Sequence, residues 1–147
     1  MQLLMSIPGI GPILAVLIAL EIGDVARFSD GAHLASYCGA VPRVKSSGGK
    51  THYGKTRSDV NHYLKWAFIE AANSISLHQN NLGDIHAVRL MKRITQQKGH
   101  AKAMGAVARH LAEAAYGILK NNEPYHEPGE PRAFSPNQGK RDPSHET

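Results

Sequence analysis

The sequence holds one cysteine, few aromatics and no long uninterrupted apolar run, and each shortage removes a class of protein. A lone thiol, Cys38, closes no internal disulfide and builds no multi-thiolate zinc site. It lies between Tyr37 and Gly39 in an apolar stretch and reads as a small core residue. No two of the nine histidines are three or four residues apart, so there is no helical metal pair. Aromatics make up 6% of the chain, and a core must therefore be mostly aliphatic. The apolar start, "MQLLMSIPGIGPILAVLIALEIGD", is interrupted by Pro8, Gly9, Gly11 and Pro12. The run after Pro12 ends at Leu20, too short to cross a bilayer. It also lacks the basic leader of a signal peptide, and the chain reads as cytoplasmic, with no membrane partner.

What is present suits one ordinary domain: 147 residues, 41% of them hydrophobic, with a formal charge of +5 that favours a polyanionic partner. Residues 3–22 read as a short helix, a tight turn over Ile7 to Pro12, and a second helix from Ile13 to Ile22 that stops at Gly23. Ser29 or Asp30 can cap a third helix through Tyr37. Residues 41–58 read as a loop with short strand character over Val41 to Lys45. A fourth helix starts near Ser58 or Asp59 and runs to about Leu77, with Val60, Tyr63, Leu64, Ala67, Phe68, Ala71 and Ile75 on its apolar face. Two more helices follow, Ile85 to Gln97 and Ala101 to Leu119. The expected class is mainly α: a helical domain over 1–122 with an N-terminal helix-hairpin-helix-like element and a long basic Gly/Ser loop. Residues 123–147 are proline-rich, with few core formers, and read as a disordered tail.

Two stretches carry candidate chemistry. In "IPGIGP", Pro8, Gly9 and Gly11 would let the backbone approach a phosphate, and the amides of the next helix would donate to it. The same residues equally make a plain tight turn. "RVKSSGGKTHYGK" is a segment without a carboxylate, within a loop that supplies Arg43, Lys45, Lys50, Lys55 and Arg57. It is no triphosphate loop: that motif needs a glycine five positions before Gly49, and Val44 stands there. A serine in such an electropositive setting, Ser46 or Ser47, can attack a phosphodiester, because cations and amides offset the charge of the transition state. A basic loop that only touches phosphate fits the composition as well. Glu21 and Asp24, three apart at a helix end, read as capping and surface charge rather than a metal pair, and Glu70 is isolated. Lys92, Arg93, Lys98, Lys102 and Arg109 form a second basic set, either a solvated face or an extension of a nucleic-acid surface.

Four segments in order, "LLMSIPGIGPILAVLIALEIGD", "RFSDGAHLASYCGAVPRVKSSGGKTHYGK", "YLKWAFIEAA" and "KGHAKAMGAVARHLAEAAYGILKNNEPY", together resemble one family. It is the C-terminal transposase domain of bacterial insertion sequences of the IS one-ten and IS one-sixteen type, the bridge-RNA-guided serine recombinases. The resemblance covers residues 3–125. It implies DNA transposition and recombination in the bacterial cytoplasm, with DNA and a guide RNA as partners and a homo-oligomer as the working form. It also implies a composite site. A serine of this domain is the nucleophile, and a divalent metal, magnesium, is held by four acids of an N-terminal RNase H-like domain. The family serine precedes a glycine, which matches Ser47 before Gly48, with Ser46 as the neighbouring alternative.

Two departures accompany the resemblance. The N-terminal acidic domain has no counterpart here, so the chain binds no metal itself and is expected to be inactive alone. Ser58, Asp59 and Val60 stand where the family has Lys, Arg and Gly, and His62 and Lys65 replace arginines. These features suit a truncated or decaying copy, or one piece of a split gene. The alternative function is therefore a non-catalytic fragment that binds DNA or RNA backbone through the hairpin and the basic loop.

Overall fold

The computed structural model describes residues 2–40, 44–47, 50–53 and 60–129, and within them the chain is mainly helical. Helix α1 (Gln2–Met5) and helix α2 (Pro12–Ile22) flank the "IPGIGP" turn, with Pro12 in the first turn of α2, where a missing amide costs nothing. Gly23 ends α2 with its amide on the Ala19 carbonyl. A 3-10 turn over Val25–Arg27 follows, unforeseen from the sequence, and the Asp24 carboxylate caps it by accepting from the Ala26 amide. The Arg27 guanidinium lies 5.0 Å from the Phe28 ring centre and 5.1 Å from that of Tyr37, and it donates to the Ile22 carbonyl. Helix α3 (Gly31–Tyr37) takes Asp30 as its cap, through the His33 amide, whereas Ser29 donates its own amide to the His33 ring.

A two-stranded antiparallel ribbon comes next, β1 (Val44–Ser47) with β2 (Lys50–Tyr53). The segment read as a loop with one short strand thus contains a hairpin. Helix α4 (His62–Leu77) begins later than Ser58 or Asp59, because Asn61 is the residue whose side chain reaches the Leu64 amide. Helices α5 (His86–Lys98) and α6 (His100–Asn121) are separated by Gly99 alone. The rings of His86 and His110 lie 4.7 Å apart, so α5 folds back along α6.

Helix α6 is the spine, packing against α1, α3, α4 and α5. Its buried face includes Ala103, Val107, Ala108, Leu111, Ala112, Ala115 and Ile118, and the alanines let neighbouring helices come close. Leu64, Phe68 and Ile75 of α4 and Ile18 and Ile22 of α2 complete an aliphatic core, each large side chain contributing about 1.5–3 kcal/mol. Cys38 is fully buried in it, and burial pushes its thiol up to about 12. Tyr63, assigned from periodicity to the core face of α4, is instead 66% exposed.

Gly9 has φ +84°, and a Cβ added there would stand 2.5 Å from the Ala71 carbonyl oxygen. The close approach that this glycine permits is therefore to α4. Gly11 caps α2 in extended backbone and has open space around its Cα.

The chain does not leave the helical body at Glu123. Residues 123–129, expected as the start of a disordered tail, run across α5 and α6 as a strap; residues 130–147 lie outside the described residues. Ile85 cannot cap α5, and the Glu127 carboxylate takes that role, accepting from the His86 amide at 2.7 Å. Tyr125 donates its amide to Ser6 Oγ (2.8 Å), and its hydroxyl lies 3.1 Å from His110 Nε2. Burial and the neighbouring His86 hold His110 below the ordinary imidazole value of 6.5, against the opposing pull of Glu127 and Glu113.

Two tests follow from this packing. Gly9→Ala should cost at least about 2 kcal/mol in chemical denaturation, from the clash and the positive φ, while Gly11→Ala should stay within about 1 kcal/mol. The folded state holds the His110 pKa below 6.5, so the unfolded chain binds more protons than the folded one as pH falls through that value. Its contribution is present above that value and lost as pH falls toward the lowered folded pKa. Denaturation at pH about 7.5 and about 5.5 should show lower stability in acid, and His110→Gln should flatten that difference.

Candidate functional site

The basic segment follows Tyr37 and precedes Asn61, two residues that are bonded to each other. The chain leaves α3 at Tyr37 and returns at Asn61, whose amide donates to the Tyr37 carbonyl at 2.9 Å. The Asn61 side chain donates through Nδ2 to Glu21 Oε2 (2.8 Å) and contacts the Tyr37 hydroxyl (3.4 Å), while Oδ1 accepts from the Leu64 amide (3.0 Å). One side chain thus fixes the end of α2, the end of α3 and the start of α4 at the foot of the loop. This is also the work of Glu21, which accepts from the Asn61 side chain, while Asp24 caps the 3-10 turn, so both carboxylates hold structure. Among the described residues, no group of three or more His, Cys, Asp or Glu side chains comes together to hold a metal ion.

In the ribbon, Val44 pairs with Tyr53, Lys45 with His52, Ser46 with Thr51, and Ser47 with Lys50. Positions alternate faces along a strand, and directly paired positions share one. Lys45, Ser47, Lys50 and His52 therefore occupy positions on one face, and Val44, Ser46, Thr51 and Tyr53 positions on the other. The two candidate serines fall on opposite faces. Of the other expected phosphate contacts in this segment, Arg43, Gly48, Lys55 and Arg57 lie outside the described residues.

The expected hairpin contacts divide. Pro8 and Gly9 are half-buried in the α1–α2 turn, with Gly9 turned to α4, while Gly11 is exposed at the N-terminus of α2. The structure does not bring the second basic set to one point: Arg109 pairs with Glu113 at 3.0 Å on α6, while Lys92 and Arg93 sit on α5.

A sequence profile described as "Transposase IS116/IS110/IS902 family" matches residues 1–98. The chain belongs to this transposase family. Among its relatives is the "Transposase for insertion sequence element IS1111A" of Coxiella burnetii, 29% identical over 124 residues, which are 84% of this chain and 34% of that protein. Another is the "Pilin gene-inverting protein" of Moraxella bovis, 30% identical over 127 residues, 84% of this chain and 38% of that one. The chain thus spans about a third of the length of these relatives.

Periodicity missed two surface aromatics of this family member, Tyr63 and Trp66, which are 66% and 52% exposed in the first turns of α4, next to Asn61. Their spacing of three places both on one side of the helix, a signal that reads equally as core. Asn61→Ala removes a cap and two side-chain contacts at once. Urea denaturation should show a loss of about 2 kcal/mol, against less than about 0.5 kcal/mol for Asn73→Ala on the exposed side of the same helix.

Proposed function

We propose that the chain is the serine-bearing part of a DNA transposase, with the Ser47 hydroxyl attacking a DNA phosphodiester. The observation that carries this reading is the register of the ribbon in a member of a transposase family: Ser47 is paired with Lys50 and shares face positions with Lys45 and His52. Ser46, the alternative, shares its face with Val44, Thr51 and Tyr53, positions without a Lys or Arg.

Attack forms a bond from Ser47 Oγ to phosphorus and breaks the bond to a deoxyribose oxygen, which departs as a hydroxyl after taking up a proton. The phosphate stays esterified, now to the protein. A second sugar hydroxyl can displace the serine and rejoin a strand without an external energy source. The transition state carries extra negative charge on the phosphoryl oxygens, and Arg43, Lys45 and Lys50 offset it. Lys55, Arg57 and the backbone at Gly48 hold flanking phosphates. At the α1–α2 turn, backbone contact with DNA centres on Gly11 and the first amides of α2, since Gly9 lies against α4.

A divalent metal would supply Lewis-acid stabilisation of the same phosphate. Among the described residues no cluster of acids fits that role, with Glu21 and Asp24 engaged in structure, and this reading places the acids on an RNase H-like partner domain. A guide RNA and a second copy of the protein are the further partners of this reading.

The test is a recombination assay with the chain joined to such an acidic domain. Ser47→Ala should lower strand exchange by at least about 1000-fold, and Ser46→Ala by less than about 10-fold. A covalent protein–DNA adduct should form with the parent and vanish with Ser47→Ala. Undiminished exchange by Ser47→Ala overturns the assignment, and reversible binding without any adduct leaves a backbone-binding module instead.

A further inference from the structure

We propose that the α5–α6 hairpin is a second, separate site for the phosphodiester backbone of nucleic acid, an inference that rests on the nucleic-acid reading above but not on the serine. From Ile85 to Ala112 the chain has six Lys and Arg residues and no Asp or Glu. All six, Arg89, Lys92, Arg93, Lys98, Lys102 and Arg109, are exposed on these two helices. Helix α5 buries Ala87, Val88 and Met91, and presents Arg89, Lys92, Arg93 and Gln96 at spacings of three and four on the exposed side. That stripe is about 10 Å long at the helical rise. Lys98 and Lys102 flank the turn at Gly99 and are both exposed.

Among the described residues, four of the six charges are left without a compensating carboxylate. Arg89 is held by Asp84 (3.2 Å) and Arg109 by Glu113 (3.0 Å), whereas Lys92, Arg93, Lys98 and Lys102 form no ion pair among the described residues. Neither α5 nor α6 has an acid in its first turn, so the positive end of α6 adds to Lys98 and Lys102 rather than being offset. Like charges at helical neighbour spacing cost the fold a few tenths of a kcal/mol per pair. A solvated face is ordinarily mixed in sign; a single-sign stripe continued around a turn is an electrostatic footprint for a polyanion. Gln96 and Gln97 on the exposed part of α5 add neutral donors that suit phosphate and sugar oxygens.

The experiment compares the parent chain, a corner variant (K92Q, R93Q, K98Q, K102Q) and a loop variant (R43Q, K45Q, K50Q) for binding to a duplex DNA and to a duplex RNA across a salt series. All corner positions are exposed, and circular dichroism melting confirms that the variants fold. The corner variant should bind at least about 30-fold more weakly at about 0.1 M salt, with a slope of log K against log salt shallower by about 3. Loss confined to DNA or to RNA names the ligand, and loss on both assigns the shared backbone chemistry. A corner variant with parental affinity and slope on both duplexes overturns this inference. A loop variant with parental binding instead counts against the loop contacts of the proposed function and leaves the second site standing.

Discussion

Asn61 is the residue on which the arrangement of the candidate site depends. Its backbone amide and carbonyl are used by Tyr37 and Lys65, its Oδ1 by the Leu64 amide, and its Nδ2 by Glu21 and the Tyr37 hydroxyl. An amide side chain offers two donors and one acceptor group, and here both kinds are in use. Aspartate would cap α4 equally well, yet it would set a second carboxylate against Glu21 with no proton to donate. The residue type is thus fixed by three elements together, not by capping alone. The result is mechanical: the ends of the basic segment are held at Tyr37 and Asn61, whatever the segment between them does.

The rest of the body serves that anchor. Helix α6 is long and rich in alanine, and it lets α3 and α4 pack against one rod. Gly31 at the start of α3 lies against Glu113, where an added Cβ would already touch at 3.4 Å. The α1–α2 turn comes much closer to α4 at Gly9, where an added Cβ would stand 2.5 Å from the Ala71 carbonyl oxygen. These contacts, the tight one at Gly9 and the ordinary one at Gly31, seat α2 and α3 against the α4–α6 pair, and with them the two residues, Glu21 and Tyr37, that meet Asn61. On the far side, Glu127 caps α5 from 41 residues away, so the α5–α6 hairpin is stabilised by a segment that follows it in the chain.

Most of this fold was legible in the sequence wherever one local signal had one meaning. Gly23, Asp30 and Gly99 mark helix limits through chemistry that acts within four residues, and the apolar periodicity of α6 has no competitor. Legibility failed where partners are distant. Ser58, Asp59 and Asn61 are all good caps in isolation, and the choice among them rests on Glu21 and Tyr37. Glu127 reads as tail composition until α5 is seen to lack a cap. Tyr63 fits the apolar period of α4, and only the packing of α2 and α6 shows that its side of the helix is open. Gly9 shows a related ambiguity: close backbone approach is the same requirement whether the neighbour is a phosphate or a helix carbonyl. At the site, the resemblance pointed to a serine in "KSSGGK", and the strand register adds only that Ser46 and Ser47 hold positions on opposite faces.

The placement of charge is where stability and function pull apart. A helical body that needed only to fold would gain from an acid in the first turn of α6 and from mixed signs along α5. Instead the acids sit at the margins: Asp84 before α5, Glu113 beyond the midpoint of α6, Glu21 and Asp24 at the end of α2. Each is engaged in a cap or a pair that holds the frame. The two segments free of carboxylates, residues 41–58 and 85–112, are left with a single sign. The electrostatic cost is small for each pair and spread over many, so a polyanion that neutralises it regains that cost along with its own counterion release. A frame that spends its acids on structure and leaves Lys92, Arg93, Lys98 and Lys102 outside any ion pair among the described residues suits the proposed backbone contact at α5–α6, with the proposed chemistry placed on the other basic segment.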